Sequence, residues 1–125
     1  MIARGSEVYT RRGYVLVEDL EGEDFPVPHP TRGFAFVRAA DPVPVFQNRV
    51  VLMLRDGRDI IVAAELGVFL EGGALVPADR LQPGSCLAGP VPGVLEGISR
   101  DEGTLLDIST LHGVPFVVNG LSVMG

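Results

Sequence analysis

Apolar residues in this chain come in short runs separated by glycine, proline and charged residues, and no window sustains the period of an amphipathic helix. Breaks fall roughly every eight to twelve residues, the rhythm of an all-β chain. Residues 8–10 and 14–17 form the first strand pair, with Arg11-Arg12-Gly13 as its hairpin turn. Glu18-Asp19-Leu20-Glu21-Gly22 reads as a polar turn. Residues 25–30 (Phe-Pro-Val-Pro-His-Pro) cannot be a central strand, because proline lacks the ladder donor; they should run extended along an edge or over the surface. Residues 33–37 form a strand, and 41–45 a second extended proline segment. Two apolar runs, 50–54 and 60–63, flank Asp56-Gly57, the strongest short hairpin signal in the chain.

Residues 68–70 and 74–76 repeat that pattern around Glu71-Gly72-Gly73, and one helical turn is expected within 77–82, ended by Pro83-Gly84. Strands at 94–98, 104–109, 115–118 and 121–123 follow, the last two joined by Asn119-Gly120. The expectation is one compact all-β domain over residues 1–125, with at most one short helical turn near 77–82. Its expected core is Val8, Val15, Val17, Leu52, Leu54, Ile61, Val68, Leu81, Ile108, Phe116, Val118 and Val123. Alternation within 50–54 is weak, so both faces of that strand are expected to be covered.

Composition narrows the function classes. The net charge is −6 and every basic residue is arginine. That balance argues against a nucleic-acid partner, which needs a basic face to displace counterions, and against adsorption to an anionic membrane. No apolar run approaches the ~20 residues of a membrane span, and the start has no signal-peptide pattern. The expected location is the cytoplasm or the inside of an assembled particle. A lone cysteine, Cys86, excludes an internal disulfide and a cysteine-based zinc site, and it is expected as a small buried hydrophobe.

No local motif carries chemistry. The acidic run Glu18, Asp19, Glu21, Glu23 and Asp24 lacks the spacing of a calcium loop and reads as a solvated turn. His29 and His112 have no local partners and read as surface or capping residues. Gly84-Ser85-Cys86-Leu87-Ala88-Gly89 is not a nucleophile elbow, since no helix pattern follows. The glycines form no phosphate loop in a chain without lysine. No cofactor and no metal are expected.

The order of the segments is more informative. Met1-Ile2-Ala3-Arg4-Gly5-Ser6-Glu7-Val8-Tyr9-Thr10, then Gly13, then Val17-Glu18-Asp19-Leu20-Glu21-Gly22-Glu23-Asp24, is similar to the Cys-Leu-Ala-x-Gly-Thr-x-Val-x-Thr opening and the Val-Glu-x-Leu-x-x-Gly-Asp turn of the Hint (hedgehog/intein) domains. Leu54-Arg55-Asp56-Gly57-Arg58 leading to residues 61–68 resembles that family's middle block, where a strand, Asp-Gly and a strand precede Thr-x-x-His. Gly73, residues 76–81 and Pro83-Gly84 resemble its next stretch. Residues 107–109 and 115–125 resemble its final Asp-Leu-x-Val…Asn-Phe-x-x-Asn-Gly-x-x-Val-His-Asn block.

The resemblance implies a Hint-like β domain and places the family's reacting side chains at Met1, Ala63, Leu66, Met124 and Gly125. The departures sit at those positions. A thioether has no proton to lose and cannot form the acyl intermediate that a first-position Cys or Ser forms. Ala63 and Leu66 stand where the family has a Thr and a His for acid–base work, and Met124-Gly125 where it has His-Asn. Asp107 alone matches a polar family position, and His112 falls two residues early. Ser6 and Cys86 are poor substitutes for the nucleophile, so no catalytic residue is expected.

If Met1 and Gly125 are the natural ends, no flanking segment is left to splice. The expectation is a non-catalytic scaffold, a structural or protein-interaction module with a protein partner or a second copy, a component of a particle such as a phage virion being one case. Two alternatives stay open: a small-molecule or peptide site in the former active-site cleft, and residual autoprocessing.

Overall fold

A computed structural model describes all residues, Met1–Gly125. The chain forms twelve strands, β1 (Glu7–Thr10), β2 (Gly13–Leu16), β3 (Asp24–His29), β4 (Gly33–Arg38), β5 (Val43–Leu54), β6 (Asp59–Ala63), β7 (Gly67–Phe69), β8 (Leu75–Pro77), β9 (Cys86–Leu87), β10 (Gly93–Asp107), β11 (Pro115–Val118) and β12 (Leu121–Met124). Three single 3-10 turns, at Val17–Asp19, Ala78–Arg80 and Ser109–Leu111, are its helical content, so the all-β expectation holds and the turn expected within 77–82 is present, while the other two exceed the single turn expected. No helix is long and apolar enough to cross a membrane.

The strands lie in a six-stranded sheet ordered β2-β1-β11-β12-β7-β8, a four-stranded sheet ordered β6-β5-β10-β9, and a β3-β4 ribbon. The turns follow from their residues. Thr10 pairs with Gly13, so Arg11 and Arg12 form the loop and Gly13 supplies a φ of 99°. Between β11 and β12, Asn119 (φ 50°) and Gly120 (φ 81°) are both left-handed, the pair of conformations that a type I′ hairpin needs.

The first proline segment lies at an edge, as expected. The Asp24 carbonyl accepts from the Arg11 N–H rather than from β4, so Asp24 opposite Arg38 is a non-hydrogen-bonded pair. Two and four residues on, Pro26 opposite Phe36 and Pro28 opposite Phe34 have the same phase, and their missing donors point away from the ladder.

Elsewhere the structure corrects the sequence reading. The second proline segment and residues 50–54 are one strand, β5, with Pro44 opposite Leu106. Residues 94–98 and 104–107, expected in two separate strands, belong to the continuous β10; the second expected strand stops short of 109, because Ser109 opens the 3-10 turn. The polar stretch between them, Ser99–Gly103, pairs with Gln47–Val51, and Arg49 grips Asp101 across the ladder with two hydrogen bonds (3.0 and 2.8 Å). Charged residues do not break a strand whose neighbour answers them.

β5 is covered on one face rather than two: Val50, Leu52 and Leu54 are buried and Met53 is exposed. Val15 and Ile61 are half-buried rather than core: Val15 holds the inward phase between exposed Tyr14 and Leu16, but on an edge strand that pairs with β1 alone, and in 60–63 the inward phase falls on Ile60 and Val62. Cys86 is exposed, not buried, since Leu87 takes the inward place in the two-residue β9. The other ten expected core residues are buried, and they join Ile2, Leu20, Phe25, Leu95 and Leu121 in one cluster.

Arg58 ties the hairpins together. Its guanidinium donates to the carbonyls of Val91 (2.7 Å), Asn119 (2.8 Å) and Pro92 (3.1 Å), and its Nε to Asp56 Oδ2 (2.8 Å). Asn119 completes the link: its Oδ1 accepts from the Glu7 N–H (2.9 Å) and its Nδ2 donates to the Asp59 carbonyl (2.8 Å). The loop after β9 passes close by, and a Cβ on Gly89 would strike the Gly120 carbonyl oxygen and lie 2.7 Å from Leu121 Cα. Both obstacles are backbone and cannot rotate aside. Gly89→Ala is therefore expected to cost about 3 kcal/mol or more in urea unfolding, whereas Gly72→Ala, with open space around it, should stay within about 0.5 kcal/mol.

Three carboxylates are held below their ordinary pKa: Glu18 by the Gly5 N–H, Asp56 by Arg58 and Asp101 by Arg49. A carboxylate whose pKa is lowered by folding stabilises the fold above its unfolded value and loses that contribution as pH falls through the folded one. The contribution of these three carboxylates should be constant from pH 7 to about 5 and decline through and below about pH 4, modestly because the groups are exposed. Urea midpoints across that range check this, and Asp56→Asn should shallow the decline.

Candidate functional site

The two ends of the chain meet. The Ile2 N–H donates to the Leu106 carbonyl (3.2 Å) and the Leu106 N–H returns to the Ile2 carbonyl (2.7 Å). Ala3 donates to the Ile61 carbonyl (2.9 Å), and the Ala63 N–H to the Met1 carbonyl (3.0 Å). Residues 1–3 are thus bonded to β6 on one side and β10 on the other. At the opposite end Met124 pairs with Pro115 and with Gly67, and the Gly125 carbonyl accepts from the Gly113 N–H (2.9 Å). Met1 and Gly125 line one cavity, walled by Ile2, Leu106, Leu111 and Phe116 with Asp107 and His112 beside them. Its volume is ≈ 10 Å³, at most one water.

The structure brings the five singled-out positions to this region in two groups. Met1 packs on Ala63, Ala3 and Leu105. Leu66 is 2% exposed and belongs to the main core; the hydrogen bonds Leu66 N–H to Ala63 carbonyl (3.1 Å) and Ala78 N–H to Leu66 carbonyl (2.8 Å) hold it there. A Cβ on Gly125 would lie 3.3 Å from the Leu111 carbonyl oxygen and 3.9 Å from Leu66 Cδ1, so the Leu66 side chain reaches the last residue. Met124 is half-buried on β12.

One polar pair adjoins the cavity. His112 Nε2 lies 2.5 Å from Asp107 Oδ1, brought there by the 3-10 turn Ser109–Leu111. Burial pulls the Met1 ammonium below its ordinary value, while the charges of Asp107 and Glu65 act the other way. Sequence reasoning noted Asp107 and His112 separately and missed both their contact and Glu65. The turn that joins the pair has no glycine or proline to announce it.

The remaining candidates lie elsewhere. Ser6 is buried and does not line the cavity, and Cys86 faces solvent opposite Val94. His29 Nδ1 accepts from the N–H groups of Thr31 and Arg32 (both 3.2 Å), so it caps its own turn. Within the acidic run Glu18 accepts from Gly5, Glu23 pairs with Arg12 (3.1 Å) and Asp24 with Arg38 (3.5 Å); the carboxylates do not converge. An open depression of ≈ 410 Å³ beside β5 and β10 is lined by charges that answer one another, Arg49 with Asp101 and Arg100 with the Asp79 carbonyl (2.7 Å).

No protein-family model and no curated protein sequence matches the chain. Solved structures do. The chain is similar to the Ssp DnaB mini-intein variant M86, with a TM-score of 0.74 and 16% identity over 99% of this chain and 92% of that one. The fold is the intein fold. The bacterial intein-like domain from Clostridium thermocellum matches with a TM-score of 0.72 and 16% identity (98% and 96% covered). The Msm DnaB1 intein splicing domain matches with 0.73 and 14% (100% of each chain). The Hint-like architecture expected from the order of the blocks is therefore present over nearly the whole chain.

In this version of the intein fold the Leu66 position is core. Leu66→His would put an imidazole into an apolar site and is expected to cost about 2–3 kcal/mol in urea unfolding. His112→Ala, at an exposed hydrogen bond, should cost less than about 1 kcal/mol.

Proposed function

We propose that this chain is an intein-fold scaffold without autoprocessing activity, acting as a structural or protein-interaction module alone or within a larger assembly. One observation carries the reading. Where the chain ends meet, the positions matched to the reacting groups hold a thioether, a methyl, an isobutyl group, a second thioether and no side chain at all, and the cavity that Met1 and Gly125 line is ≈ 10 Å³. Acyl transfer needs a heteroatom nucleophile and a group that delivers a proton to the leaving nitrogen. Asp107 and His112 could move a proton, but no hydroxyl or thiol lies with them in the cavity wall.

The same volume disfavours a ligand site in the cleft, since small-molecule pockets run to roughly 300–1,000 Å³. Apolar replacements that fill the cleft trade reactivity for packing, and methionine suits irregular gaps.

Intact-mass spectrometry on the chain carrying unrelated fusion domains at both ends is the test. The full-length mass is expected to persist through prolonged incubation with and without added thiol or hydroxylamine. Any cleaved, spliced or thiol-adducted product would overturn the reading, and loss of that product in Cys86→Ser or Ser6→Ala would name the nucleophile.

A further inference from the structure

Most sheet edges of this molecule are covered or blunted, and β2 is not. The β6 edge is covered by residues 1–3. The β9 edge is covered by Leu70 and Glu71, whose N–H donates to the Cys86 carbonyl (3.0 Å). β8 ends in Pro77, and β3 carries Pro26 and Pro28. β2, by contrast, is Gly-Tyr-Val-Leu, with neither charge nor proline, and pairs with β1 alone.

The ladder phase tells which of its backbone groups are free. The Val17 N–H donates to the Ser6 carbonyl, so Ser6 opposite Val17 is hydrogen-bonded, and so, two and four residues on, are Val8 opposite Val15 and Thr10 opposite Gly13. Tyr14 and Leu16 are the alternate positions. Their N–H and C=O groups point out of the sheet, and their side chains are also exposed.

The ends of β2 carry opposite charge. Arg11 and Arg12 precede it, and Glu18 and Asp19 follow it. An antiparallel copy related by a two-fold axis through Val15 sets Tyr14 opposite Leu16 twice. Those are hydrogen-bonded positions, so four N–H···O=C bonds form. The same operation carries each arginine pair to the other copy's acidic pair. The other open edge, β4, lacks that complementarity: basic residues flank it at Arg32 and Arg38 with no acidic pair at either end, and a two-fold through Ala35 sets Arg32 against Arg38 in both directions. We propose that the partner of the β2 edge is the β2 edge of a second copy, joining two six-stranded sheets into one isologous dimer. This rests on the interaction-module reading and names its partner.

Light scattering after size exclusion and sedimentation velocity on the full chain, up to ~1 mM, test it. The mass is expected to rise from 13.3 kDa toward twice that value with concentration. Tyr14→Lys and Leu16→Lys, both at exposed side chains, should raise the dissociation constant at least ~10-fold. Arg11→Glu should weaken the dimer, and adding Asp19→Arg should restore it. In a Cys86→Ser background, Val15→Cys should oxidise to a covalent dimer. A chain that stays at 13.3 kDa throughout, or a dimer indifferent to Leu16→Lys and not cross-linked through Val15→Cys, overturns the proposal. The two readings fail separately: an uncleaved monomer removes this one alone, and cleaved fusions remove the other.

Discussion

Ile2 is the residue on which the site depends. It is fully buried, exchanges two hydrogen bonds with Leu106, and forms bridges with both Val62 and Leu106. Burying such a side chain is worth about 1.5–3 kcal/mol, more than enough to keep a terminal segment from fraying. With Ile2 seated, Met1 has little freedom, and its carbonyl meets the Ala63 N–H. The seating of Gly125 against Gly113 does the same for the other end. The cleft is thus a by-product of anchoring both ends in the sheets.

The anchoring uses backbone hydrogen bonds and one buried isoleucine, so it needs no reactive side chain at either chain end. Reactive side chains in a cleft are chosen for chemistry, and apolar ones in the same place contribute packing. Leu66 contributes packing of this kind: it lies in the main core and its side chain extends to Gly125. Fold and activity are separable for this reason, and the fold alone does not carry the chemistry.

Much of the architecture was legible in local residue chemistry. Asn119-Gly120, Asp56-Gly57 and the Arg11–Gly13 turn are readable because left-handed backbone restricts which residues can stand there. The segments read as breaks inside β5 and β10 were not, because a proline or a charged run looks the same in a loop as in a strand whose partner answers it. Ile60 to Ala63 is apolar throughout, so nothing local chose the inward phase; the positions of residues 1–3 and β5 chose it. Cys86 misled for a related reason: a small apolar residue beside Leu87 has even odds of either face.

From the residues alone came the all-β class, the hairpin order and the thioether at the first position. Those depend on turn stereochemistry and on the chemistry of single side chains, which travel with the amino acid. Only the folded molecule decided that the cleft is closed, that His112 meets Asp107, and that Tyr14 and Leu16 turn their free backbone groups outward. Each is a relation between residues distant in sequence or a matter of ladder phase, set by how the strands register against one another.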